Sequence, residues 1–411
     1  MTDTVNINVD VLIIGGGIAG LWTLARLQQA GYKTVLLESE ALGEGQTRFA
    51  QGIIHGGTKY ALTGKLTASS ESLADMPARW RACYEGNGEL DLTQAELLSD
   101  AHYLWSTTSM ASRISGFFAS KVMRSRSSVM DSAKDKSSLP SIFQHKDFNG
   151  QFYRLDEPVF NVLTVIRALA EPRKQSILMI DQNTLRPEGQ AVTVQSKQGE
   201  SYLFHYKKII FIAGEGNENL LSCFGCNKPE MQLRPLKMVV MRGGPNYALN
   251  DMVYAHCLGA SVNPRITITS HRDKQGNIVW YMGGQLAEEG VNKSDAELIQ
   301  ATKSELKELI PWLELKGAEW GVLEINRAEI KKPGTTRPDN FSIVNDKNVI
   351  TAWPTKMALA PVLADAVYEI VSKENIKPDP DLSLPDWQPP MYAEYPWDED
   401  SCWKPESETG G

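Results

Sequence analysis

The stretch Val9–Glu38, VDVLIIGGGIAGLWTLARLQQAGYKTVLLE, decides how this chain is read. An apolar run from Val11 to Ile14 ends in three glycines, the pattern of a buried strand that feeds a tight turn. Apolar residues then recur at helical spacing, Gly31 stops the helix, and Thr34 to Glu38 form a second apolar strand. A right-handed crossover places the two strands in parallel within one sheet. Gly15, Gly17 and Gly20 stand at GxGxxG spacing inside this unit, and Glu38 follows Gly20 by 18 residues. Gly15 allows the turn, and Gly17 lets a pyrophosphate approach the backbone where Ile18 and Ala19 open the helix. Gly20 packs helix on strand, and Glu38 accepts hydrogen bonds from ribose hydroxyls. A dinucleotide is expected.

The surrounding composition narrows the classes. At 411 residues and 42% hydrophobic content the chain can bury a large core, enough for roughly two or three domains. A net charge of -8 argues against a nucleic-acid surface as its main business. The apolar run after the polar start breaks into glycines too early for a signal peptide, and no run reaches the ~18 apolar residues of a membrane span. Five cysteines, few and odd in number, fit a reducing cytoplasm. Cys223 and Cys226 make a CxxC without a second pair, a weak metal or redox signal, and no metal site is expected.

Helical patterns dominate from about Leu66 to Tyr103, and VFNVLTVIRALAE, from Val159 to Glu171, predicts another helix. Beyond Gln232 the segments MVVMRGG, MVYAHCLG, RITITSHRD and NIVWYMGGQ read as an antiparallel sheet, with a hairpin at Asp273–Asn277. Helices follow at Ser294–Leu309 and after Pro354. The last part is acidic and rich in proline and tryptophan, an extended tail whose aromatics pin it to the body or to a partner. The fold class expected is α/β: a Rossmann-type dinucleotide-binding domain from residues 1–80, 150–225 and 326–375, and a mainly antiparallel α+β substrate domain from 81–149 and 226–325, with 376–411 as the tail.

GxGxxG serves nicotinamide and flavin nucleotides alike, so the rest of the chain must choose. No second GxGxxG appears, as an enzyme using both through two Rossmann units would carry. The late strand KKIIFIAGEGNENLL brings Ala213 and Gly214 to the nucleotide. The segment Arg48–Leu62, RFAQGIIHGGTKYAL, crowds glycines beside a histidine, a lysine and a tyrosine, and an isoalloxazine ring needs the close backbone approach that glycine permits. These features favour FAD.

With those residues in view the chain resembles the D-amino-acid oxidase superfamily of FAD enzymes. Ile54–Tyr60, IHGGTKY, is similar to the flavin-side segment of FAD-dependent glycerol-3-phosphate dehydrogenases, and HGGTKYALTGKL is similar to that of 2-hydroxyglutarate oxidases. The resemblance implies that Thr47, Gly52, Ile53 and His55 border the flavin, while Lys59 and Tyr60 face the substrate. It implies a substrate-binding arginine at Arg337, and it sets Lys356, between Thr355 and Met357, at a loop-to-helix junction whose dipole points at the flavin. The sequence departs from the family pattern in Gln46–Gly52, in Lys59 where the family has arginine, and in Pro354–Thr355 where it has glycines.

The chemistry expected is oxidation of a small anionic CH–OH substrate, glycerol 3-phosphate or a 2-hydroxy acid, by hydride transfer to the flavin. His55 is the candidate base, with a flavin contact or a covalent tether as competing readings. His256 and His271 are alternative bases, each also readable as a structural histidine; His271 ends RITITSH and shares a face with Thr267 and Thr269. Arg327 and Arg337 are candidate anion clamps, supplemented by Lys59, Tyr60 and Lys356, although Arg327 stands close to Glu329 and also reads as half of an ion pair. Trp280 and Tyr281 offer an apolar wall or plain core packing. The basic, amphipathic segment Ser112–Arg126 reads as a cap on the substrate domain or a peripheral membrane contact. The electron acceptor, whether quinone, oxygen or a protein, has no signature. Oxidation of an amine or amino acid, and flavin binding without turnover, are the alternative functions.

Overall fold

Val11, Leu12 and Ile13 are fully buried because their strand runs through the middle of a sheet. In the computed structural model, residues 4–57, 73–107, 137, 139–245, 247–259, 264–332, 340–374, 376–377 and 384–405 are described in full, and 127–130 by backbone alone. In chain order the strands begin with β1 (Val5–Ile14), β2 (Thr34–Glu38), β3 (Leu97–Ser99), β4 (His102–Ser106), β5 (Ser127–Met130), β6 (Gln151–Leu155) and β7 (Val159–Phe160). They continue with β8 (Ile177–Glu188), β9 (Ala191–Ser196), β10 (Ser201–Phe211), β11 (Met231–Arg242) and β12 (Tyr254–Leu258). The last are β13 (Ile266–Arg272), β14 (Ile278–Gly283), β15 (Glu319–Ile330), β16 (Ser342–Asp346), β17 (Val349–Trp353) and β18 (Trp403–Lys404).

Seven strands form the first sheet. β1 lies between β2 and β10, parallel to both, and β8 and β17 extend the parallel set. This is the doubly wound arrangement expected, with β9 running antiparallel between β8 and β10 and β16 antiparallel at the edge beside β17. The helix Ile18–Gln29 buries Leu21, Trp22, Leu24 and Leu27 completely against the sheet and the helix Ala360–Ser372, and Arg26 pairs with Asp365 at 3.1 Å. Each such aliphatic side chain contributes about 1.5–3 kcal/mol.

A second sheet of nine strands runs in the order β18-β15-β11-β14-β13-β12-β4-β6-β5. It is antiparallel except where β12 meets β4. Its alternating strands bury Val239, Met241, Ile266, Ile268 and Trp280 on one face, against the helix Asp295–Leu309. That helix starts with a capping box formed by Ser294 and Glu297.

Local spacing misleads in three places. The stretch expected to be helical up to Tyr103 includes β3 and the start of β4, because pairing of β4 with β12 and β6 outranks a weak helical period. Val159–Phe160 is strand β7, and the helix begins only at Val162. β6 belongs to the nine-stranded sheet, whereas the expected boundary at 150 assigns it to the nucleotide side.

The tail lies on the body. Leu42 bridges Tyr392, β18 pairs with β15, and Tyr395 stacks on fully buried Trp397 at 4.4 Å. Lys274 pairs with Glu394. The segment Ser112–Arg126 lies outside the described residues. No helix among the described residues is long and apolar enough to cross a membrane.

Candidate cofactor and substrate site

A cavity of about 600 Å³ extends from the turn after β1 to the face of the nine-stranded sheet. Its first part is backbone. Gly15 has φ +123, and a Cβ there would stand 2.7 Å from the Cα of Ala213, so no other residue fits the turn. Gly17 is extended and leads into the helix Ile18–Gln29, whose first N–H, that of Ile18, donates to Thr47 Oγ1 at 3.2 Å. Gly15, Gly17, Ile18, Ala19, Thr47, Ala213 and Gly214 all line the cavity. Gly20 does not; its Cα packs so closely that a Cβ would lie 1.9 Å from the Gly15 carbonyl.

Glu38 reaches the same place from the end of β2. Its carboxylate accepts from the N–H groups of Gly16, Ser39 and Glu40 at 2.5, 2.7 and 2.9 Å. Burial raises its pKa, and these backbone donors oppose the rise. A helix N-terminus beside glycines without room for side chains, followed by a carboxylate at a strand end, fits a pyrophosphate and its ribose. Gly16, Ser39, Glu40 and Gln182 also line this part. Of these Gln182, on β8, has no signal in the sequence.

The far part is made of side chains. Gly52 has φ +75, and a Cβ there would collide with the Phe160 carbonyl at 2.0 Å. The Phe160 N–H donates to Gly52 at 3.0 Å, the Ile54 N–H donates to Pro158 at 2.9 Å, and Ile53 bridges Val159. This short ladder sets His55 opposite Glu157. His55 Nδ1 lies 3.1 Å from Glu157 Oε2, and the Gly56 N–H donates to Glu157 Oε1 at 2.8 Å. The Glu157 side chain is 4% exposed.

Two more histidines stand behind. The His256 ring stacks on His55 at 5.6 Å and 16°, and His102 lies 4.2 Å from His256. His256 Nδ1 is 2.7 Å from Thr267 Oγ1, and Gly52, Ile53, His55, His256 and Thr267 all border the cavity. Glu157 and His102 escaped the sequence reading, since neither sits in a recognisable motif and the 52–54 ladder that recruits Glu157 is tertiary.

Arg327 on β15 and Lys356 complete the lining. The expected pairing of Arg327 with Glu329 gives way to another: Glu329 accepts from Gln232 at 2.9 Å and Arg234 at 3.2 Å. Lys356 is the residue before the turn Met357–Leu359, which leads into the helix Ala360–Ser372. Thr355 takes φ +58, costly for a residue with a branched side chain, while its hydroxyl donates to the Asn340 carbonyl at 3.2 Å. Thr355, Lys356 and Met357 all face the cavity. Lys59, Tyr60 and Arg337 lie outside the described residues.

Three candidates do not line the cavity, His271 as a base against expectation and the two aromatics in favour of core packing. His271 does share its face with Thr267, but it stands four residues further along β13, about 13 Å at strand rise, and is not part of the cavity lining. It is buried beneath the tail, 4.8 Å from Trp397, and burial pushes its pKa down to about 3. Trp280 turns into the core and donates to the Asp251 carbonyl at 2.7 Å. Tyr281 is buried, with its hydroxyl donating to the Phe49 carbonyl at 3.0 Å; Gln51, which donates to the Tyr281 carbonyl at 3.1 Å, borders the cavity there, and Leu236, Met238 and Ile325 supply apolar lining.

Comparison with known proteins gives the same assignment. The family described as DAO, FAD dependent oxidoreductase, matches residues 10–346. A probable FAD-dependent oxidoreductase of Pseudomonas aeruginosa is 44% identical over 393 residues, 95% of this chain and 98% of that protein. The crystal structure of that protein aligns with a TM-score of 0.80 at 40% identity, over 97% of this chain and 99% of the other. An FAD-bound α-glycerophosphate oxidase of Mycoplasma pneumoniae shares the fold at 14% identity and a TM-score of 0.62, over 94% and 99% of the two chains. Glycine oxidase of Geobacillus kaustophilus does so at 14% identity and a TM-score of 0.62, over 92% and 99%. The match over most of the chain and the glycine-lined nucleotide cradle agree: the chain belongs to the DAO family of FAD-dependent oxidoreductases.

Proposed function

We propose that this enzyme oxidises a small anionic CH–OH compound of the glycerol 3-phosphate or 2-hydroxy acid kind. One observation supports the reading most: His55, paired with the buried carboxylate of Glu157, lines the same cavity as Arg327 and Lys356. An alcohol must lose its hydroxyl proton as its carbon loses hydride, so it requires a base, whereas an amine can arrive already neutral.

FAD, when bound, supplies the two-electron acceptor that takes the hydride. Gly15–Ala19 and Glu38 would hold its nucleotide, and Gly52–His55 and Thr355–Met357 its ring end. His55 receives the hydroxyl proton, and the substrate leaves as the ketone. Arg327 binds the carboxylate or phosphate through its planar fork, and Lys356 adds a point charge. Lys59, Tyr60 and Arg337 join this clamp on the strength of the family resemblance. Quinone, oxygen or a protein serves as the final electron acceptor.

A second reading, oxidation of an amine or amino acid, draws on the fold shared with glycine oxidase. It leaves the His55–Glu157 pair without a task. An anaerobic panel of glycerol 3-phosphate, 2-hydroxy acids and amino acids decides between them: bleaching of the flavin by a hydroxy compound is expected. Bleaching by amines alone would overturn the proposal, and bleaching by none would favour a flavin protein without turnover.

A further inference from the structure

We infer that Glu157 is a positioning residue that fixes His55 in the Nδ1–H tautomer, so that the Nε2 lone pair is the one offered to the substrate. This role rests on the base function proposed for His55 and adds the residue that makes it work.

The geometry leaves Glu157 little choice. Its side chain is 4% exposed, and its two oxygens are divided between two donors, the Gly56 N–H at 2.8 Å and His55 Nδ1 at 3.1 Å. An ionised carboxylate only accepts, so the nitrogen facing it must carry the hydrogen. In neutral imidazole one nitrogen donates and the other accepts, which leaves Nε2 as the base. The position is held from both sides, because the ladder between residues 52–54 and 158–160 fixes both chains next to the pair. When His55 takes the hydroxyl proton, the same carboxylate lies against the new cation. Among the described residues, Glu157 and the imidazoles of His256 and His102 lie against the ring, and Arg327 and Lys356 stand on the lining of the same cavity.

Glutamine at this position reverses the arrangement. The Gly56 N–H still requires an acceptor, so the amide oxygen stays on Gly56 and the NH2 turns to His55 Nδ1. Nδ1 then becomes the acceptor, and the proton moves to Nε2, where it blocks the base. The shape is preserved while the tautomer is inverted, as in a histidine whose orienting carboxylate becomes an amide.

The test uses full-length protein as purified, labelled with 15N and 13C at histidine, at a pH where His55 is neutral. His55→Asn identifies the resonances. Wild type is expected to show Nδ1–H and Glu157→Gln to show Nε2–H at His55. Glu157→Gln should also slow flavin reduction by a hydroxy substrate roughly 10²-fold or more with little change in KM. The residual activity should have its acid limb moved to lower pH by about 1 unit, because a base that has lost its neighbouring anion is harder to protonate. An Nε2–H tautomer in wild type overturns the inference without any variant having to fold. So does a Glu157→Gln protein whose tautomer and acid limb match wild type. Reduction of His55→Asn at the wild-type rate overturns the base role instead, while the spectrum reads the Glu157 contact on its own.

Discussion

The two parts of the cavity are built from different materials. The nucleotide part is mainly backbone: a helix N-terminus, glycines whose neighbours leave little volume for a Cβ, and the Glu38 carboxylate, most of it within Gly15–Glu38 and completed by Thr47, Gln182, Ala213 and Gly214. The part proposed to react is side chains, and His55, Glu157, His256, Arg327 and Lys356 come from segments far apart in the chain. The first is specified by conformation, so nearly any added atom damages it. The second is specified by identity, so a residue there can change while the fold and the cofactor cradle persist. That division explains how one fold is shared with an α-glycerophosphate oxidase and a glycine oxidase.

The division breaks if mutations in the two parts act alike. The largest effect is expected from Gly17→Val, because a Cβ at this position would stand 2.9 Å from Thr47 Oγ1 and the rest of the side chain would fill the space of the pyrophosphate. Retention of FAD through gel filtration should be lost with far-UV circular dichroism intact; a yellow, folded variant contradicts the cradle. Next, His55→Asn should lower the rate of flavin reduction by roughly 10²–10⁴ while FAD affinity stays within a few-fold. Loss of FAD in that variant would assign His55 to the cofactor. Lys356→Met should raise KM for an anionic substrate about 10-fold, with a smaller change in FAD affinity, and the reverse ranking moves this lysine into the nucleotide part.

The smallest effect concerns His271, which belongs to neither part. Its folded pKa of about 3 lies below the value near ~6.5 of an exposed histidine, so it stays neutral in the fold and the unfolded chain binds the extra proton. The stability it preserves is present above pH ~6.5 and is lost as pH falls toward 3, by at most about 1.4 kcal/mol per unit. Urea midpoints at pH 7 and pH 5 should therefore differ less in His271→Gln than in wild type. Equal differences would show that this histidine is not neutral and buried.

The same contrast governs what the sequence reveals. GxGxxG and Glu38 are legible because a turn, a helix start and a strand end are local events, each with its own residue requirement. His55 and Lys356 become legible through resemblance to relatives. Glu157 stays hidden because only the tertiary ladder from Gly52 to Ile54 recruits it. His271 shows the limit of periodicity: alternation gives its face correctly and says nothing of its distance along β13 from the cavity or of the tail that covers it. The tail itself reads as extended by composition, and its attachment depends on where Trp387, Tyr395 and Trp397 find apolar surface, which no local pattern encodes.

The most direct test is a crystal structure of the protein with its bound cofactor. The adenosine is expected at Glu38, the pyrophosphate over Gly15–Gly17, and an isoalloxazine ring bordered by Gly52, His55 and Lys356 with Arg327 across the open side. A ring system lying away from His55 and Lys356, or a nicotinamide in its place, would contradict this assignment.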